Sequence, residues 1–266
     1  MFRALYTAAS GMRSQQTQVD VIANNLANVN TAGFKRSDVN FEDMLYATPI
    51  RPGTMRADGS TESGLQVGNG SHITATVKNF NNGTFIDTGR PLDLAIQGDG
   101  FFELQGVDGG RVFTRDGSFR LDKDGSIVNS QGLKLVPGLG QVPVGSKLAI
   151  SRDGTVTATV GDDVTQLGQI SLVTFTNSAG LSAEGGNLYR QTEASGQPVT
   201  VNPGNQGAGE ILSGSVERSN VDIATELINL ILAQRAYETN SKAINTADQM
   251  LSQANQSPMS VMRLLR

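Results

Sequence analysis

The chain has 266 residues, 38% of them apolar, a formal charge of −4, one histidine (His72), and neither cysteine nor tryptophan. That length allows one to three domains with a sizeable core, and the absence of cysteine excludes a disulfide framework and a thiolate metal site, leaving the redox compartment unread. The charge is uneven: residues 1–36 hold four basic residues and one acidic, residues 217–266 hold five of each, and the stretch between holds twelve against nineteen. No basic patch for nucleic acid results. The longest apolar run, residues 227–233, contains Asn229 and falls far short of the ~20 residues that span a bilayer, so a soluble chain without membrane insertion is expected. The N-terminus is periodic rather than continuously apolar and offers no cleavage site, so export through a cleaved signal peptide is not expected.

From the N-terminus, Phe2, Leu5, Ala9, Met12, Gln16, Val19, Ala23 and Leu26 follow one another at three- and four-residue steps. That is the 3.5-residue spacing of a coiled-coil seam, interrupted only by Gly11. Thr31-Ala32-Gly33 reads as the helix end. Gly33 there takes the left-handed conformation, with Lys35 and Arg36 beyond the negative end of the dipole. Residues 46–70 carry two prolines and five glycines with little periodicity, which predicts a loop, an extended arm or a long hairpin. Ile50, Arg51, Arg56 and Leu65 give this segment chemistry for packing on a neighbour.

The period then changes to two. Leu92, Leu94 and Ile96 alternate, the chain turns at Gly98-Asp99-Gly100, and a second strand resumes at Phe101. Asp-Gly recurs at positions 58, 99, 108, 116, 124 and 153, and Asn-Gly at 69 and 82. Both pairs suit the positive φ of tight hairpin turns. Strand-like runs at 126–128, 147–150, 155–160 and 169–175 lie between them, so the middle reads as an all-β, hairpin-rich domain.

Ser219 and Asp222 give the S-x-x-D pattern of a capping box opening a second helix. Along it Ile223, Leu227, Leu230, Gln234, Tyr237, Ser241, Ile244, Asp248 and Leu251 repeat the 3.5-residue spacing. A second row runs through Ala233, Ala236, Asn240, Ala243, Ala247 and Met250. Two apolar rows on one helix call for more than one partner: the terminal helices can pair within one molecule, and stacking of copies would cover what remains. The polar seam residues Gln16, Gln234, Ser241 and Asp248 suit the fixing of register.

Chemistry of sites finds little to hold. His72 has no cysteine to activate and no G-x-S-x-G setting. Asp99, Asp116 and Asp124 could pair as glycosidase carboxylates, but each sits in Asp-Gly turn chemistry. The segment from Asp122 to Ser126 resembles the start of a calcium loop, yet position twelve would be Leu133 in place of a bidentate glutamate. Neither an enzyme, a cofactor nor a metal is expected. A secreted β-rich adhesin or binding module would account for the middle, but not for two matched terminal helices.

Three motifs carry a family resemblance. Asn24-Asn25-Leu26-Ala27-Asn28 followed by Asn30-Thr31-Ala32-Gly33-Phe34-Lys35 resembles the N-terminal signature of bacterial flagellar rod and hook proteins. Leu92-Asp93-Leu94-Ala95-Ile96-Gln97-Gly98-Asp99-Gly100-Phe101-Phe102 with Phe113-Thr114-Arg115-Asp116-Gly117-Ser118-Phe119 resembles its middle. Ser219-Asn220-Val221-Asp222, Gln234-Arg235-Ala236-Tyr237-Glu238, Asn240-Ser241-Lys242 and Ala247-Asp248-Gln249-Met250-Leu251 resemble its C-terminal signature. Together they cover nearly the whole chain, and the tail after Leu251 matches nothing in the family. Length and the Pro/Gly segment look most like members from the distal part of the rod, with hook and proximal rod subunits as the alternatives.

The resemblance implies an α+β subunit without catalytic, cofactor or metal residues. Residues 1–36 and 217–266 would form a coiled-coil assembly domain, residues 37–70 a connecting and bridging segment, and residues 71–216 an outer β domain. Packing is expected at Leu5, Met12, Val19, Leu26, Leu227, Leu230, Tyr237, Ile244 and Leu251. Asn24, Asn25 and Asn28, ahead of Gly33 and Phe34, would supply amides that bond backbone groups or one another. The implied partners are copies of the chain in a helical tube that carries torque and encloses a channel, proximal rod and hook subunits, the surrounding P- and L-ring bushing, and the type III export apparatus. The implied place is the basal body, where the rod crosses the periplasm.

Overall fold

The computed structural model describes residues 2–50, 65–138, 140, 142–143, 145–205 and 207–262. Arg51 and Arg56 lie outside the described residues, and only the backbone of Ile50 lies within them. The chain is α+β: a helix near each terminus flanks a strand-rich region, and the residues divide into two compact units.

The first unit comprises Met1–Leu26, Ser37–Val77 and Ile223–Arg266. Helix α1, Phe2–Ala27, has 26 residues and helix α2, Ile223–Met262, has 40, about 60 Å of α2 at 1.5 Å per residue. Beside the helices the strands Ser37–Asp43 and Ser71–Lys78 pair. A second ribbon pairs Ala47–Ile50 antiparallel to Leu65–Val67, so the Pro/Gly-rich segment begins and ends as a two-stranded arm. Chain entry into this unit is fixed by Asn25. Its side chain is 1% exposed, its Nδ2 donates to Ser37 O, and its Oδ1 accepts from Ser37 N, both at 2.9 Å. The amide thus satisfies both backbone groups of Ser37 as a neighbouring strand would.

The second unit comprises Ala27–Arg36 and Lys78–Asp222. A nine-stranded sheet carries the core, joined by a three-stranded sheet of Lys147–Ile150, Thr155–Val160 and Asp163–Gln169. The strand Phe101–Gln105 is central. It pairs antiparallel with Arg111–Thr114 across the Asp108-Gly109 turn, and with Lys134–Val136 and Leu172–Thr174. Side chains alternate between its faces. Phe102 and Leu104 join Leu94, Ile96, Phe119, Val156, Leu172 and Ile211 in one core, while Phe101 packs with Phe113, Val173 and Tyr189 on the other side. Burial on both faces explains why Phe101-Phe102 reads as an unbroken apolar run. The strands Leu94–Gln97 and Phe101–Gln105 do not pair with each other: Leu94–Gln97 pairs with Glu210–Ser213.

Two helix boundaries differ from expectation. Helix α1 ends at Ala27, not at Gly33. The chain turns through Thr31 N to Asn28 O (3.1 Å) and Phe34 N to Thr31 O (3.4 Å), with Thr31 Oγ1 donating to Asn28 Oδ1 (3.1 Å). Gly33 is left-handed, at φ +67°, and a Cβ there would also lie 2.6 Å from Asp116 N, so tertiary packing adds a second requirement for glycine. Helix α2 begins at Ile223, which puts Asp222 at the N-cap position. Ser219 Oγ instead accepts from Val221 N at 3.3 Å, upstream of the helix.

Candidate functional site

Two features are built from residues that sequence patterning singled out: the faces of the helices, and a buried charge cluster where the N-terminal signature meets the C-terminal one.

On α2 the buried stripe follows the second row read in the sequence more than the first, and on α1 it is displaced by about one residue from the seam. On α2, Glu226, Ala233 and Ala247 are buried, with Leu230, Asn240, Ile244 and Leu251 half-buried beside them, while Gln234 and Asp248 are exposed. On α1, Ala8, Ile22 and Asn25 are buried and Leu5, Met12, Val19 and Leu26 half-buried, while Ala9, Gln16 and Ala23 are exposed. About half of each predicted seam is therefore at least half-buried, and Ala8, Ile22, Ala233 and Ala247 are buried where their seam neighbours Ala9, Ala23, Gln234 and Asp248 are exposed. The helices come close where Gly11 meets Asn240: an added Cβ at Gly11 would lie 2.9 Å from Asn240 Nδ2. A shallow groove lined by Gln16, Val19, Gln234, Tyr237 and Glu238 follows. Since α1 numbers rise there as α2 numbers fall, the helices run antiparallel.

Opposite the buried stripe, at 3.6 residues per turn, α2 presents Leu227, Ile228, Ile231 and Leu232. These side chains are 43, 58, 56 and 62% exposed. Four large aliphatic side chains on two successive turns form a contiguous apolar face of a kind soluble monomers seldom leave open. Tyr237 is 44% exposed, and Leu65, at the base of the arm, is 51% exposed. Asn24 is exposed, and Asn28 half-buried.

The charge cluster lies within the second unit. Lys35 and Glu217, 182 residues apart in sequence, meet at 2.6 Å, and Arg115 approaches the other carboxylate oxygen at 3.7 Å. All three side chains are at most 1% exposed. Lys35 Nζ also donates to Asn81 O at 2.8 Å, and Glu217 Oε1 accepts from Gly83 N at 2.9 Å. The guanidinium of Arg115 sits over the Phe101 ring, 5.3 Å from its centroid. Beside the cluster, Asn220 accepts from Arg36 N at 2.8 Å and donates to Asn79 O (2.9 Å) and Asn81 O (3.0 Å). Phe34 is buried, with the Lys78 ammonium 5.1 Å from its ring centroid. The segments that follow α1 and precede α2 are therefore sewn to one another and to residues 79–83. Sequence reasoning missed this cluster, because an apolar pattern says nothing about which lysine will meet which glutamate. The one available signal was that Lys35, Arg115 and Glu217 all lie in or next to signature motifs.

Burial and the nearby Arg115 lower the Lys35 amine from its ordinary 10.5 to about 8, with Glu217 opposing. Because the folded value lies below the unfolded one, the folded state bears the full cost of the charged amine below pH 8. That cost disappears as pH rises from about 8 towards 10.5. Tyr189, pushed up by burial, acts in the opposite direction above about pH 10. Urea midpoints are expected to rise between pH 8 and 10 for the natural chain, and Lys35→Met to reduce that rise, leaving the part due to Lys78, whose amine burial also lowers.

Of the carboxylates considered for catalysis, that of Asp116 serves a turn, its Oδ1 accepting from Ser118 N at 3.0 Å, and Asp124 lies in the hairpin closed by the bond from Asp122 N to Ser126 O. His72 lines an open groove of about 820 Å³ along α1, together with Arg3, Arg13, Tyr6 and Met44. Among the described residues no helix is long and apolar enough to cross a membrane.

Residues 5–35 match the family model described as flagella basal body rod protein. Residues 95–158 match the D1 domain of the flagellar hook protein FlgE/F/G group, and residues 212–257 match the C-terminal model of the flagellar basal body rod FlgEFG proteins. The flagellar basal-body rod protein FlgG of Borreliella burgdorferi is 46% identical over 96% of this chain and 98% of its own length. That of Bacillus subtilis is 42% identical over 95 and 98%. The rod protein FlgF of Caulobacter vibrioides is 34% identical over 93 and 95%.

Proposed function

The chain belongs to the flagellar basal-body rod protein family and is a structural subunit of the distal rod, and from that premise we propose how it assembles and what it transmits. Antiparallel pairing of α1 with α2 as a short coiled coil forms the inner assembly domain. The aliphatic face of α2 packs on neighbouring copies, so the helices build the wall of a helical tube with the β domains outside. Leu5, Met12, Val19, Leu26, Leu230, Ile244 and Leu251 hold the intramolecular side of this packing, and Leu227 and Tyr237 contribute to the outer side. The arm that starts at Ala47–Ile50 and returns at Leu65–Val67 bridges to an adjacent subunit, with Ile50, Arg51, Arg56 and Leu65 as its contact residues.

Stiffness then arises from many weak contacts made together, and torque passes along the wall while exported subunits travel through the channel. Proximal rod subunits, hook subunits, the P- and L-ring bushing and the type III export apparatus are the partners this place in the axle requires. No catalytic role is proposed. The observation that carries the reading is the exposed run Leu227, Ile228, Ile231 and Leu232 on a helix whose opposite face is already covered. Electron cryo-microscopy of basal bodies from cells lacking the gene tests it. An axle that stops short of its distal segment and carries no hook is the expected image, and an intact rod would overturn the assignment.

A further inference from the structure

The second unit leaves two sheet edges open on one groove. The strand Arg120–Leu121 ends the nine-stranded sheet and pairs, among the described residues, only with Ile127–Val128. Lys147–Ile150 ends the three-stranded sheet and, again among the described residues, pairs only with Thr155–Val160. Both line a groove of about 740 Å³ with Leu92, Phe119, Leu121 and Leu148 as its apolar lining and Arg120 and Lys147 as its cations. The third cation, Arg90, is already held by Asp93 at 2.7 Å. Open edges present unpaired N–H and C=O groups that another strand can complete. A groove flanked by two of them has the chemistry to take an extended segment with an apolar side chain and negative charge.

The opposite edge of the same three-stranded sheet has those properties. In the strand Asp163–Gln169, residues 163–166 are exposed, Val164 at 67%, and Asp162 and Asp163 stand at its start. Leu167 O is taken by Gly140 N at 3.1 Å, so the open edge is the acidic end. We propose that this groove receives the 163–166 edge of a second copy of the chain, Val164 turned to the apolar lining and the aspartates to Arg120 and Lys147. This rests on the reading of the chain as a polymer subunit, and assigns a contact between outer domains of neighbouring copies. Groove and strand lie on opposite edges of one sheet, so a copy cannot fill its own groove. The contact is head-to-tail and propagates, as an open helical assembly requires.

The natural chain has no cysteine, which allows a direct test. Copies carrying Leu121→Cys are mixed with copies carrying Val164→Cys, assembled into rods, and treated with a short bismaleimide. The expected result is a mixed dimer absent from rods of either variant alone. It should fall at least several-fold when Asp162→Lys and Asp163→Lys are added to the Val164→Cys copy, and return when Arg120→Glu and Lys147→Glu are added to the other. Rods that form normally without a mixed dimer above the level of dilute monomer overturn the docking, as does a cross-link to a different protein. Failure of these copies, and of the unmodified chain, to form rods overturns the polymer reading beneath it.

Discussion

Glu217→Gln should lower the stability of the chain by about 3–5 kcal/mol, the range observed when one partner of a buried ion pair is removed. Among the described residues Glu217 is the carboxylate that ion-pairs with both Lys35 and Arg115, and all three side chains have at most 1% exposure. Neutralising it leaves two cations in a site that water does not reach. Glutamine retains the shape and can still accept from Gly83 N, so the loss reports charge rather than volume. Lys35 is the cation able to escape by losing its proton, and the variant should therefore recover part of its stability at high pH. Lys35→Met combined with Glu217→Gln should cost less than the two changes summed, because the double variant strands one cation fewer. Urea denaturation followed by circular dichroism measures all three. A loss below about 1 kcal/mol for Glu217→Gln would mean that the ion pairs do not hold these segments together.

Ile231→Asp should abolish assembly and leave the monomer intact. Ile231 is 56% exposed in the single chain, and surface substitutions away from special features shift stability by about 0.5 kcal/mol or less. In a tube wall the same residue would be buried. Its replacement then forfeits about 1.5–3 kcal/mol of apolar burial per contact and adds a carboxylate that must be desolvated. Every subunit repeats that loss, so no long rod survives it. Ala233→Asp makes the contrast, since Ala233 is 2% exposed and an aspartate there should destabilise the monomer itself. Sedimentation of assembled material, read beside thermal melts of the monomers, separates the two. An Ile231→Asp chain that still forms rods of normal length would remove this face from the assembly.

How far the sequence could be read depended on whether the information was local. The strands Lys147–Ile150 and Thr155–Val160 lie where the period-two runs between Asp-Gly pairs placed them, because turn chemistry and alternation act over a few residues. Helices at both ends were legible from their spacing. Which face each helix buries was legible only to within one residue: Ala9 and Ala8, or Gln234 and Ala233, fit a heptad equally well until a partner selects one. Gly33 was recognised as left-handed, but the close approach of Asp116, which also requires glycine there, is tertiary, and α1 ends six residues earlier. Asn25 stood out in the signature motif, whereas its two bonds to Ser37 depend on where the chain returns. The Lys35–Glu217 pair could not be read at all, since no local pattern links residues 182 apart.

The most direct measurement is an electron cryo-microscopy map of the distal rod built from this chain, at a resolution that shows side chains. The expected map has α2 in the tube wall, with Ile228, Ile231 and Leu232 buried against helices of neighbouring subunits. A map in which those three side chains face open solvent, with adjacent subunits joined only through their β domains, would contradict the account.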